Sequence, residues 1–161
     1  MNGEQPDELA AAPIPAQIAA SHKVFISNAG ADLAAQAVFK KVGGPDEAYD
    51  GFYSAMATWK RYELVSAPAD ADLVFEISFN VPMHMNGGLA VYEPQFGLRI
   101  LDAKSHFLLW TLVEPVKGAF REASWKKNFE VGLNGLMGDL RKLSASAAAG
   151  NQSPAPIKNS R

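Results

Sequence analysis

The stretch Leu73-Val-Phe-Glu-Ile-Ser-Phe-Asn-Val81 decides how this chain folds. Leu73, Phe75, Ile77, Phe79 and Val81 take every second position, with Glu76, Ser78 and Asn80 among the residues between them. Successive side chains of a strand point to opposite faces. The stretch therefore predicts a β-strand with one face on a core and the other wet. Upstream, Pro68-Ala-Asp-Ala-Asp72 reads as a turn and Tyr62-Glu-Leu-Val65 as a short strand. Earlier still, Val24-Phe-Ile26 is a continuous apolar run with two β-branched residues, which suits a buried strand. Asn28 and Gly30 supply turn chemistry after it, and Asp32 can cap a helix over 33–42 that Gly43-Gly44-Pro45 ends. Asp46 opens a second helix with Tyr49, Phe52, Tyr53, Met56 and Trp59 as its apolar face. Gly51 weakens that helix by about 1 kcal/mol.

Downstream, residues 82–88 read as a loop, and 96–103 and 107–113 as strands joined in a hairpin around Asp102-Ala-Lys-Ser-His106. Trp125, Phe129, Leu133, Leu136, Leu140 and Leu143 fall three or four residues apart, one stripe of an amphipathic helix over 123–143. Lys126, Lys127 and Arg141 lie on its polar side. The order is β-α-α-β-β-β-β-α. It predicts an α/β (α+β in layer terms) domain with a mostly antiparallel four- or five-stranded sheet and helices packed on one face. Residues 1–22 (with Pro6, Pro13 and Pro15) and 145–161 are low in apolar periodicity and rich in Pro, Ala and Ser. They are expected to be a disordered leader and tail around a single domain over 23–144.

The 161 residues are 48% hydrophobic and 20% charged, an ordinary globular mixture for one domain. A net charge of -2 gives no basic excess for a phosphate backbone, so no nucleic-acid partner is expected. The chain has no cysteine, which excludes disulfides, thiolate metal sites and Cys nucleophiles. No apolar run approaches the roughly 18 residues of a membrane span. The start, Met1-Asn-Gly-Glu-Gln-Pro-Asp-Glu-Leu9, lacks the positive charge and apolar run of an export signal. As written, the chain is expected in the cytoplasm; a mis-assigned start would allow the periplasm.

No motif commits the chain to catalysis. Val24-Phe-Ile-Ser-Asn-Ala-Gly-Ala-Asp32 resembles the opening of a Toll/interleukin-1-receptor domain, some of which cleave NAD, but that fold's repeating βα units are not matched downstream. A phosphate-binding loop needs more glycines, or a Gly-Lys-Ser/Thr run, than the lone Gly30 offers. Met83-His84-Met85 is a soft-donor cluster suited to Cu(I), yet three adjacent residues do not close a site, and His22 and His106 are isolated. Asp70, Asp72, Glu76, Asp102 and Glu114 are carboxylates available for acid–base work. Turn positions favour structural roles for Asp70, Asp72 and Asp102; Glu76 belongs to a wet sheet face, and Glu114 at a strand end is expected to be solvated. No cofactor and no metal are expected.

Leu108, Trp110 and Leu112 alternate with Phe107, Leu109 and Val113, so the last strand is apolar on both sides. If helices cover one side, the row Leu108, Trp110 and Leu112 needs another cover and is the expected interaction surface, for a protein partner or a second copy.

Arg61-Tyr-Glu-Leu-Val65, Ala69-Asp-Ala-Asp-Leu-Val-Phe-Glu-Ile77 and Gly97-Leu-Arg-Ile-Leu-Asp-Ala-Lys-Ser-His-Phe-Leu-Leu-Trp110 together resemble a family of uncharacterised exported bacterial proteins common in acidobacteria. They are more distantly similar to the α/β domains of the curli-secretion and TolB N-terminal lipoprotein group. The resemblance spans about residues 23–144 and implies an envelope setting without supplying catalytic residues. The expected function is a non-enzymatic accessory or protein-interaction domain of the bacterial envelope; the alternative is a small-ligand binder or a TIR-like nucleotide-cleaving enzyme.

Overall fold

The computed structural model describes residues 11–150. Its elements are α1 (Gln17–Ala20), β1 (Lys23–Ala31), α2 (Ala35–Val42), α3 (Glu47–Trp59), β2 (Glu63–Leu64), β3 (Leu73–Asn80), β4 (Met83–Asn86), β5 (Leu89–Tyr92), β6 (Gln95–Asp102), β7 (Leu108–Pro115) and α4 (Glu122–Gly150). Five strands form one sheet in the order β2-β1-β3-β6-β7, and β4 pairs with β5 separately. The alternation over 73–80 is realised as β3, buried at every odd position.

The sheet is mixed, which corrects the expected mostly antiparallel one. β1 runs parallel to both β2 and β3, and only β3-β6 and β6-β7 are antiparallel. The parallel half arises because α2 and α3 carry the chain from β1 back to its starting end, the crossover that parallel pairing requires. From β2 the chain then turns through a 3-10 turn, Pro68–Asp70, against β1 and enters β3 on its other side.

As expected, the helices lie on one face. Val24 and Ile26, the odd positions of β3, and Phe96, Leu98 and Ile100 of β6 are all buried. Phe79 of β3 meets Phe39 of α2 at 5.6 Å, Phe96 at 5.1 Å and Phe129 of α4 at 5.2 Å between ring centroids. α4 lies close because Gly132 faces the sheet: a Cβ there would come within 2.6 Å of Val116 Cγ2 and 3.2 Å of Phe96 Cε2. The N-cap of α2 is Ala34 rather than the expected Asp32; from the turn before the helix Asp32 accepts the Ala35 N–H at 2.9 Å, and its other oxygen takes the Val81 N–H at 2.8 Å.

The boundaries expected at 22/23 and 144/145 do not coincide with the elements. α1 precedes the first, with Ile18 fully buried and its carbonyl accepting from Tyr62 Oη at 2.6 Å. α4 runs 29 residues, about 43 Å, through the second, and Ala147 is buried. Alanine is the best helix former, so a stretch that looks low in complexity prolongs a helix that packing has already nucleated. Residues 1–10 and 151–161 of the expected leader and tail lie outside the described residues.

Residues 82–88, expected as a loop, contain β4 and the turn to β5. Gly87 (φ 58°) and Gly88 (φ 83°) both adopt left-handed backbone, as a two-residue hairpin turn of the primed type demands.

Candidate functional site

The face of the sheet away from the helices can be read from the strand register. Phe25 lies beside Val74, Val74 opposite Leu101, and Leu101 opposite Leu108, an apolar row across four strands. The next row is Ser27, Glu76, Arg99 and Thr111, and it is polar. Its centre is an ion pair, Arg99 Nη1 to Glu76 Oε2 at 2.9 Å, half open to solvent and so worth little to stability. A groove of about 300 Å³ runs over the apolar row, bordered by Phe25, Val74, Leu101, Pro68 and His106. That volume is the lower end for a small-molecule site. The groove's carboxylates are engaged: Glu76 with Arg99, and Asp102 with Ser105 and Gln17.

At the end of the apolar row stands β7, an edge strand with no neighbour on its outer side among the described residues. Its three expected interface residues separate. Trp110 pairs with Ile100 and Leu112 with Leu98, so both belong to the helix side, where they pack half-buried against the core. Leu108 pairs with Leu101 on the open face and is 49% exposed. The cause is a bulge: β7 advances two residues, from Leu108 to Trp110, while β6 advances one, so Leu109 is the extra residue and the alternation breaks there. Val113, opposite Gly97, is 49% exposed on the open face, and Phe107 precedes the strand, exposed. The surface that sequence reading missed is the row Phe25, Val74 and Leu101. Its one signal was Val74, an apolar residue among the polar positions of the key strand.

The carboxylates serve the fold. The backbone N–H groups of Lys23 and His22 donate to Asp72 at 2.9 and 3.0 Å, and these bonds hold its pKa below the usual value. Asp102 is likewise lowered, first by the Ser105 hydroxyl and then by the Ser105 N–H, which tie the hairpin turn. Glu114 is not the solvated group expected. It shares the helix side with Phe96 and rests over Gly135 of α4, where burial raises its pKa and Asp139 raises it further. The folded state thus favours protonated Glu114. That contribution is present below the ordinary value of 4.5 and is lost as pH rises through the higher folded value. Glu114→Gln should therefore be more stable than wild type at pH 7, with the gap closing as pH falls toward 4. Urea unfolding at the two pH values checks this, and a pH-independent gap would contradict it.

Strand alternation divides Met83-His84-Met85. The two thioethers share one face of β4, and His84 faces the other way, 3.7 Å from Glu93. Among the described residues no group of three or more His, Asp or Glu could hold a metal ion. Asn28, Ala29 and Gly30 are exposed, and the Gly30 N–H is satisfied locally by Asn28 Oδ1 at 3.0 Å. The groove of the open face does not reach them. No helix among the described residues is long and apolar enough to cross a membrane.

No family model and no curated protein matches the chain. Among solved structures, a Xanthomonas campestris protein of the DUF330 family superposes with a TM-score of 0.51 at 13% identity, covering 89% of this chain and 94% of that one. A neuraminyllactose-binding hemagglutinin homologue from Helicobacter pylori gives 0.49 at 12% identity, covering 93% and 97%. PelC from Paraburkholderia phytofirmans, solved as a dodecamer, gives 0.47 at 14% identity, covering 81% and 94%. At these identities the likeness speaks to architecture, and the chain shares its mixed α/β fold with the Xanthomonas protein.

Proposed function

We propose that the chain is a non-enzymatic interaction domain that meets another protein chain, in the simplest case a second copy, along β7. The observation that carries this is the outer side of β7, eight residues with no neighbour among the described residues and flanked on the open face by Leu108 and Val113. Such an edge offers backbone donors and acceptors to an added strand, and the apolar row beside it can be covered in the same step. β7 carries no lysine or arginine to discourage pairing; Glu114 is its one charge, turned toward α4. An envelope setting is part of this reading, supported by the resemblance of the β3 and β6–β7 sequences to exported bacterial proteins.

Sedimentation velocity tests it. The wild-type weight-average mass should rise with concentration above 17.3 kDa. Leu108→Lys with Val113→Lys places two charges beside the edge and should hold the protein at monomer mass with its melting temperature little changed. A wild type that stays monomeric up to about millimolar concentration overturns self-pairing.

A further inference from the structure

A second surface, away from the β7 edge, combines apolar tips with cations. β1, β3 and β7 all end, and β6 begins, at one end of the sheet, so the loop after β1, the β4–β5 hairpin and the β7–α4 loop emerge together. They meet round an apolar cleft of about 300 Å³ walled by Ala34, Val81, Tyr92, Pro94, Gly118 and Trp125. Each segment lifts large apolar side chains into solvent. Phe120 is fully exposed, Leu33 is 91% exposed, and Met83, Met85, Leu89 and Tyr92 of the hairpin are more than half exposed. Apolar area so placed costs about 25 cal/mol per Å² while it stays wet.

Cations outnumber acids around these tips. Lys117, Arg121 and Lys127 line a second cleft, of about 580 Å³, directly beside Phe120. Lys41 Nζ sits 5.5 Å from the centroid of the Trp125 ring. The acids near them are Glu122, which pairs with Lys126 at 3.3 Å, Glu93, 3.7 Å from His84, and Asp32, which accepts the Ala35 and Val81 N–H groups. Lys41, Lys117, Arg121, Lys126 and Lys127 against Asp32, Glu93 and Glu122 leave this end net positive in a chain whose net charge is -2.

We propose that this end docks onto an anionic lipid surface, Phe120, Leu33 and the hairpin tips entering the headgroup layer while Lys117, Arg121 and Lys127 meet lipid phosphates. Apolar side chains ringed by Lys and Arg suit an interface that is oily inside and negative outside. A second copy is disfavoured here, because two identical basic ends would repel.

Co-sedimentation of the full chain with vesicles tests this. Vesicles containing a third phosphatidylglycerol should bind at least tenfold more tightly than phosphatidylcholine alone. Raising NaCl from 0.1 to 0.5 M should weaken binding several-fold, since it shortens the reach of the charges. Phe120→Ser with Leu33→Ser, and separately Lys117→Glu with Arg121→Glu, should each reduce binding about tenfold at unchanged melting temperature. Inorganic phosphate at 10 mM should not compete beyond its ionic strength. Equal binding to both vesicle types, or variants that bind like wild type, overturns the proposal. Failure to bind either vesicle also overturns it; none of these outcomes bears on β7.

Discussion

Phe129→Ala is expected to destabilise the protein by about 3–5 kcal/mol, much of the 5–15 kcal/mol a domain typically has. Phe129 lies 4.7 Å from Phe96 and 5.2 Å from Phe79 between ring centroids, and Phe79 also meets Phe39. One ring on α4 thus touches β3 and β6 and, through Phe79, reaches α2. Its loss opens a cavity and removes two aromatic pairs, each worth about 0.5–1.5 kcal/mol beyond burial. The site cannot collapse easily, because Gly132 already holds α4 at close approach to Phe96. Lys127→Ala, exposed two residues earlier on the helix, should change stability by less than about 0.5 kcal/mol. Urea unfolding measures both, and similar costs for the two would mean the helix presents another face to the sheet.

Removing residues 1–22 is expected to lower the melting temperature by about 10 °C or more. Ile18 is fully buried, and Ile→Ala at such a site costs about 2–5 kcal/mol by itself. The truncation also takes away the carbonyl that Tyr62 Oη donates to, leaving that buried hydroxyl with Ser144 Oγ at 3.4 Å. The Arg61 guanidinium, held by the carbonyls of Ala19 and Ser21, loses both partners. Ile18→Ala alone should reproduce at least half of the loss. A truncated protein that melts within about 3 °C of the full chain would show that α1 adds nothing.

These two expectations mark where the sequence was legible. Phe129 belonged to a stripe with helical spacing, and the β3 alternation was unambiguous, so α4, the core face of the sheet and the covering of one side by helices could all be read. α1 could not, since four residues with a single apolar anchor have no period. Strand direction is also invisible to period two. The available hint was the unbroken Val24-Phe-Ile26 run, since parallel strands often lack alternation; here Phe25 lies on the open face beside Val74, only partly buried. The Leu108–Leu112 row failed for a local reason: a bulge at Leu109 reverses the phase, and nothing in Phe-Leu-Leu-Trp marks which leucine is the extra one. The β4–β5 hairpin had its signal in Gly87-Gly88, the two-residue turn that joins its strands.

The β7 edge is the claim on which the functional account turns, and backbone hydrogen exchange addresses it amide by amide. Exchange followed at low micromolar and near-millimolar protein should show the outward N–H groups of β7 gaining protection with concentration, while β3 and β6, already paired on both sides, stay unchanged. Leu108→Lys with Val113→Lys should abolish the gain. If the β7 amides exchange at the same rate across that range, no strand adds to this edge and the account is contradicted.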